Sequence, residues 1–227
     1  MSKKNKPETG SMEWRCYSGQ DFRSEENEGG EKTIEGHAAV YNRTAQIGPW
    51  FKEIIEPGAF DNADMTDVPL FVNHDMRSMP LARSRRNNGS STMKLSVDST
   101  GLLINARLDT EGSAESKQLY TSIQRGDIDG MSFSFSVARE EWEDLDSDMP
   151  TRRIKEFAKI YEVSAVTWPA YKDTDIHARA ENLPDGGLLA LENARKNASL
   201  DKGGRRSVDT ESEIEKYRLK IGILGGM

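Results

Sequence analysis

Large apolar and small polar residues alternate with a period of two through Gly130-Met131-Ser132-Phe133-Ser134-Phe135-Ser136-Val137. On a β-strand that period puts Met131, Phe133, Phe135 and Val137 on one face and Ser132, Ser134 and Ser136 on the other. The segment reads either as a half-buried strand with a serine-rich solvent face or as a strand that presents a nucleophilic hydroxyl. Shorter runs of strand character occupy residues 33–41, 50–56, 68–73, 81–86, 92–97 and 102–108, and longer ones residues 131–142 and 153–167. Pro57-Gly58, Asn88-Gly89 and Ser99-Thr100-Gly101 punctuate them, the last two as hairpin-type signals. Residues 113–125 carry the one convincing helical pattern between the strands: acidic residues early, Leu119, Tyr120 and Ile123 as the apolar set, and Gly126 as the stop.

This pattern divides the chain into three. Residues 1–30 are polar and rich in Gly, Glu, Asn and Ser, which predicts a flexible N-terminal arm with at most a short strand around residues 14–17. Residues 31–177 form the expected main domain. Residues 178–227 mix nine Lys and Arg with eight Asp and Glu, are punctuated by glycine pairs, and show weak helical patterns at 188–197 and 211–221. A partly helical or disordered appendage is the expectation there. Many short strands joined by tight turns predict a β-rich α+β domain, a barrel or sandwich rather than a parallel sheet.

Composition narrows the function classes. The 227 residues carry a net charge of −7 and no basic block, so nothing points to nucleic acid. Cys16 is the only cysteine, which excludes an internal disulfide and a cysteine-rich zinc site. Lys3, Lys4 and Lys6 resemble the start of a signal peptide, but no apolar stretch follows them and no run is long enough to span a bilayer. The expectation is a soluble protein of a reducing cytoplasm, with no cofactor and no metal.

Three histidines limit the search for chemistry: His37, His74 and His177. His37 falls inside a strand pattern and His177 in a loop after the last strand. His74 follows Leu70-Phe71-Val72-Asn73, so a buried strand delivers it to a strand end, where a rigid scaffold presents catalytic groups. It reads as a catalytic base or as a satisfied histidine in a turn. Glu162 lies in Ile160-Tyr161-Glu162-Val163-Ser164-Ala165, where nearly every neighbour is apolar or small. A carboxylate buried there needs donors or a cation. Alternatively, the alternation Ile160/Glu162/Ser164 lets it face solvent from an edge strand. Together Ser132, His74 and Glu162 supply the parts of a Ser-His-acid triad. No metalloprotease, P-loop or dinucleotide motif competes.

Six segments in series carry a resemblance: Gly36-His37-Ala38-Ala39-Val40-Tyr41-Asn42, Glu56-Pro57-Gly58-Ala59-Phe60, Phe71-Val72-Asn73-His74-Asp75, Pro80-Leu81-Ala82-Arg83-Ser84, Gly130-Met131-Ser132-Phe133-Ser134-Phe135 and Glu162-Val163-Ser164-Ala165-Val166-Thr167-Trp168-Pro169-Ala170-Tyr171. They resemble the tailed-phage prohead (procapsid maturation) protease family, related in fold to the herpesvirus assembly protease. The resemblance covers about residues 33–177. It implies a closed or partly open antiparallel β-barrel with a few flanking helices. It further implies a serine endopeptidase inside the assembling prohead in the host cytoplasm. Its substrates would be scaffolding protein, the scaffolding region of the major capsid protein, and itself. A homo-oligomer would follow, with no direct nucleic-acid or membrane partner. Carried over by motif, the base is His74, the nucleophile Ser132 and the acid Glu162; herpesvirus relatives use a second histidine in the third place. Ser134 stands where relatives often have glycine, and His37 where an aromatic is usual. Main-chain N–H groups and one of Arg83, Arg85 and Arg86 are the candidates for an oxyanion hole. The competing reading is a catalytically silent capsid-assembly module with the same fold. Residues 178–227 could be an extension that self-cleavage removes.

Overall fold

The alternating serine strand and the strand that follows it organise the structure. The computed structural model describes residues 11–18, 21–167 and 186–201. The elements are β1 (Glu13–Ser18), β2 (Arg23–Glu26), β3 (Lys32–Val40), β4 (Ala45–Ile47), β5 (Phe51–Ile55), β6 (Val68–Val72), β7 (Ala82–Ser84), β8 (Met93–Val97), β9 (Gly101–Arg107), α1 (Ala114–Gln124), β10 (Gly130–Glu143), β11 (Thr151–Val166) and α2 (Gly186–Asp201). The chain divides into two compact units, Met1–Gly186 and Gly187–Met227. α2 realises the helical pattern expected at 188–197; the one expected at 211–221 and the 177/178 boundary lie outside the described residues. No helix among the described residues is long and apolar enough to cross a membrane.

The β-rich α+β expectation holds, but the antiparallel barrel does not. Strands sort into a seven-stranded sheet, whose main path is β1-β10-β11-β5-β4 with β6 and β7 attached, and a four-stranded sheet β2-β3-β9-β8. Among the described residues neither closes on itself, and the larger one is mixed. β11 pairs antiparallel with β10 along one edge and parallel with both β5 and β6 along the other. The physical reason is the length of β11, which at 16 residues is long enough to seat two short strands in tandem. Between them Asp64 bridges Lys159, so residues 52–72 track β11 as one interrupted parallel strand. The Asn88-Gly89 turn links the two sheets instead of closing a hairpin, because β7 pairs with β6 and β8 with β9.

Both sheets share one apolar core, drawn from β3, β8 and β9 on one side and β6, β10 and β11 on the other. The face of β10 that holds Met131, Phe133 and Phe135 is fully buried. Phe133 and Phe135 stack at 4.7 Å between ring centroids, and Phe157 of β11 meets Phe135 edge-on at 4.9 Å. Phe60 stacks on Phe157 at 4.6 Å. Such aromatic pairs add about 0.5–1.5 kcal/mol each beyond area burial. Helix α1 begins as its sequence suggests: the Ser113 side chain accepts from the Ser116 N–H, a standard N-cap.

The expected N-terminal arm is corrected in its described part. Residues 13–18 form β1, paired with β10 from Glu13↔Phe135 to Ser18↔Gly130, and residues 23–26 form β2 on the second sheet. The segment reads as polar because its inward positions carry charge. Glu13 and Arg15 are buried, joined by Glu53 of β5 and Arg152 of β11. Arg15 donates through Nε to Glu53 Oε1 (2.6 Å) and through Nη2 to Glu53 Oε2 (2.8 Å) and Glu13 Oε2 (2.7 Å). Arg152 donates to both oxygens of Glu13 (2.6 and 2.9 Å), to Glu53 Oε2 (3.0 Å) and to Glu140 Oε2 (2.7 Å). Burial pushes Glu53 upward, but the Arg15 and Arg152 guanidiniums win and hold it below the ordinary carboxylate range. Its share of stability is therefore present above the ordinary carboxylate pKa and is lost as pH falls below it.

His37, on β3, lies away from the serine strand's polar face. Its Nδ1 bonds Asp21, and its Nε2 lies 3.0 Å from Asp98 Oδ2. A ring that donates through both nitrogens is an imidazolium. Burial alone lowers its pKa, yet the hydrogen bonds and charges of Asp21 and Asp98 raise it above 6.5.

Two outcomes follow from these charges. Arg152→Met leaves Glu13 and Glu53 with Arg15 alone and takes from Glu140 the guanidinium it bonds, and is expected to cost about 3–5 kcal/mol in urea denaturation. The His37 clamp contributes fully below pH 6.5 and is lost as pH rises through its raised value. The stability advantage of the native protein over His37→Phe, read from urea midpoints between pH 6 and 9, should shrink with rising pH.

Candidate active site

Register brings the polar face of β10 into a site. Directly opposed residues on neighbouring strands share a face. The row Cys16–Ser132–Ser164–Phe71 therefore crosses β1, β10, β11 and β6, and the row Trp14–Ser134–Glu162 runs beside it. Ser132, Ser134, Glu162 and Ser164 are all fully buried.

A β-bulge decides where Glu162 points. Ser134 pairs with Glu162 but Phe135 pairs with Ile160, which leaves Tyr161 as the extra residue. Without it, simple alternation would put Ile160 and Glu162 on one face. With it, Ile160 enters the core opposite Phe135, and Glu162 joins the serines. Bulges re-aim side chains in this way, and they are over-represented next to active sites. The solvent-facing reading of Glu162 is thereby excluded.

His74 reaches the same face by a different device. Pairing of β6 with β11 continues one residue past the strand, where Asn73 N–H donates to Ala165 O (2.9 Å). Asn73 (φ 51°) and His74 (φ 60°) then both adopt the left-handed region. Two such non-glycine residues in succession cost of order 1–3 kcal/mol each and persist only where the surroundings hold them. Here Asn73 Oδ1 accepts from the N–H (3.0 Å) and Oγ1 (3.1 Å) of Thr167, and His74 N–H donates to Ser164 Oγ (3.1 Å). The turn folds the imidazole back over the sheet.

The ring and the carboxylate meet there. His74 Nδ1 lies 2.7 Å from Glu162 Oε1, and Ser164 Oγ donates to Glu162 Oε2 at 2.6 Å. With Nδ1–H committed to the carboxylate, the neutral ring keeps its lone pair on Nε2, the nitrogen a base would use. The His74 side chain is 26% exposed against 1% for Glu162, so the dyad is open on the histidine side only. Trp14 approaches the ring edge-on, 6.4 Å between centroids.

Ser132 stands one strand from Ser164. Its hydroxyl donates to the main-chain carbonyl of Arg15 (2.8 Å), toward β1 and not toward the imidazole. Ser134 Oγ is buried without a hydrogen-bond partner among the described residues. Arg83, a candidate for the oxyanion hole, is instead committed to both oxygens of Asp67 (2.6 Å each). His37 is a structural ion-pair residue, and His177 lies outside the described residues. Sequence reasoning missed Ser164, Asn73 and the Arg15 carbonyl; only Ser164 left a signal, two residues beyond Glu162 on the same strand. A cleft of about 610 Å³ opens beside the turn, between the end of β6 and α1, lined by Asn73, Asp75, Leu119 and Ile128 among others.

Comparison with known proteins adds to this geometry. Residues 19–186 match the family model described as caudovirus prohead serine protease. The chain is 32% identical over 155 residues to the prohead protease of Enterobacteria phage HK97, a match that covers 66% of this chain and 61% of that protein. No solved structure matches. The family match takes in β2 to β11, and with them the bulged strand and the histidine turn, so the chain belongs to the caudovirus prohead serine protease family.

Proposed function

We propose that this chain is a serine endopeptidase of phage capsid maturation in which Ser132, His74 and Glu162 form the triad. The observation that carries the reading is the 2.7 Å contact of His74 Nδ1 with the buried Glu162, on the face that holds Ser132. Ser132 Oγ attacks the scissile carbonyl while His74 Nε2 takes its proton. The C–N bond then breaks as the ring returns the proton to the leaving amine, and a water hydrolyses the resulting ester by the reverse route. Glu162 keeps the ring in the required tautomer throughout. Ser132 must first turn away from the Arg15 carbonyl, at the cost of one hydrogen bond worth about 0.5–1.5 kcal/mol.

The substrates we infer from the family are scaffolding protein, the scaffolding region of the major capsid protein, and the chain itself; the match to an HK97 protein named a prohead protease supports the prohead setting. The setting is the assembling prohead in the host cytoplasm, where crowding of identical chains favours oligomerisation and cleavage between copies. Residues 31–177, extended by β1 and β2, make up the protease domain, and 178–227 an appendage that self-cleavage removes. One observation favours a second reading, a catalytically silent assembly module: the Ser132 hydroxyl is bonded to Arg15 rather than to the ring.

Labelling the full chain with a fluorophosphonate distinguishes the two. Adduct on Ser132, absent from Ser132→Ala and retained in Ser134→Ala, supports the protease; no adduct on the native chain supports the silent module. Glu162→Gln should slow acylation by a factor on the order of 10⁴, the scale seen when a triad acid is replaced by its amide. Mass spectrometry of the chain incubated with excess scaffolding and capsid protein tests self-processing: loss of C-terminal sequence in the native chain but not in Ser132→Ala is expected, and an intact C-terminus throughout would rule it out.

A further inference from the structure

We propose that Ser164 is a positioning residue whose single hydroxyl sets both halves of the His74–Glu162 dyad. The inference rests on the triad reading above and goes beyond it in naming a fourth member. A hydroxyl carries one proton and two lone pairs. The Ser164 proton goes to Glu162 Oε2 at 2.6 Å, and a lone pair takes the main-chain N–H of His74 at 3.1 Å. The acid is thus held through its side chain and the base through its backbone by the same atom.

The geometry makes this hydroxyl hard to replace. Glu162 has two oxygens and the ring uses only one, Oε1. Without a donor on Oε2 the carboxylate is free to rotate about its terminal torsion and present either oxygen to the ring. His74 holds a left-handed backbone at φ 60°, and the bond to Ser164 is the one its own N–H makes. Ser164 is fully buried, so bulk water does not reach the position to substitute. It lies on β11 with Glu162, opposite Ser132 of β10 on one side and Phe71 of β6, the strand that leads to His74, on the other. It does not face the exposed side of the dyad, so its effect passes through Glu162 and His74 and not through contact with substrate.

Three substitutions at Ser164 and one at Ser132, all in the full chain, test the proposal with two readouts. The first is the rate of acylation by a fluorophosphonate. The second is the low-field proton resonance of His74 Nδ1–H, which reports the bond to Glu162 whether or not the chain turns over. Ser164→Ala should slow acylation about tenfold or more, the scale of one hydrogen bond to a charged group. It should also shift or broaden the resonance. Ser164→Thr, which keeps the hydroxyl, should restore both. Should Ser164→Ala fail to fold by circular dichroism, Ser164→Cys keeps the size with a weak donor and should show the same losses. An unchanged rate and resonance in Ser164→Ala, or in Ser164→Cys, overturns the proposal. Ser132→Ala separates the two levels of inference. If it still labels at the native rate, the triad itself is wrong and the role of Ser164 falls with it; if it is silent while Ser164→Ala behaves as native, only the Ser164 assignment fails.

Discussion

A carboxylate sealed inside a β-sheet must find hydrogen-bond donors, and that requirement at Glu162 governs the architecture around it. Leaving an ionised group buried and unpaired costs far more than any single packing contact returns. Among the described residues no arginine or lysine answers it; the donors are His74 Nδ1–H and the Ser164 hydroxyl. Meeting it demands a bulge in β11 to point the side chain off the core and a left-handed turn after β6 to bring the imidazole over it. Both devices break a regular pattern, and each is held by several hydrogen bonds in its immediate surroundings.

The sheet beneath supplies the rigidity. Ser132 lies between Met131 and Phe133, both fully buried, and the phenylalanines of β10 interlock with Phe157 and Phe60. A nucleophile on such a strand can turn its hydroxyl, but its Cα has nowhere to go. The second buried charge system bears on the same residue from the other side. Glu13, Arg15, Glu53 and Arg152 tie β1 to β5 and β11, and the Arg15 carbonyl accepts the hydrogen bond of the Ser132 hydroxyl. The two networks occupy opposite faces of β10, so that one sheet separates a charge-locked interior from the dyad.

Strands were readable wherever burial alternates cleanly. β3, β5 to β11 and α1 fall within a few residues of the runs their side chains predict, and Ser113 caps its helix as its position suggests. β1 was partly hidden because its inward residues are Glu13 and Arg15, which a hydrophobicity pattern scores as surface. β2 and β4 were invisible: one is polar and exposed, the other only three residues long. The expectation of a barrel failed for a different reason. Strand patterns carry no pairing information, and the length that lets β11 accept two parallel partners along one edge does not distinguish a closed sheet from an open one.

What the sequence by itself determined was the inventory: a serine on an apolar-locked strand, a histidine at a strand end, and a carboxylate among apolar neighbours. Those follow from local period and from the cost of burying charge, both properties of contiguous residues. Which faces those groups occupy was decided only by tertiary structure. Tyr161 is an extra residue only with respect to β10, and the left-handed turn of Asn73 and His74 is held by Thr167 and Ser164 respectively, some ninety residues away. Interactions between strands distant in sequence fix these features, and no window along the chain contains both sides of them.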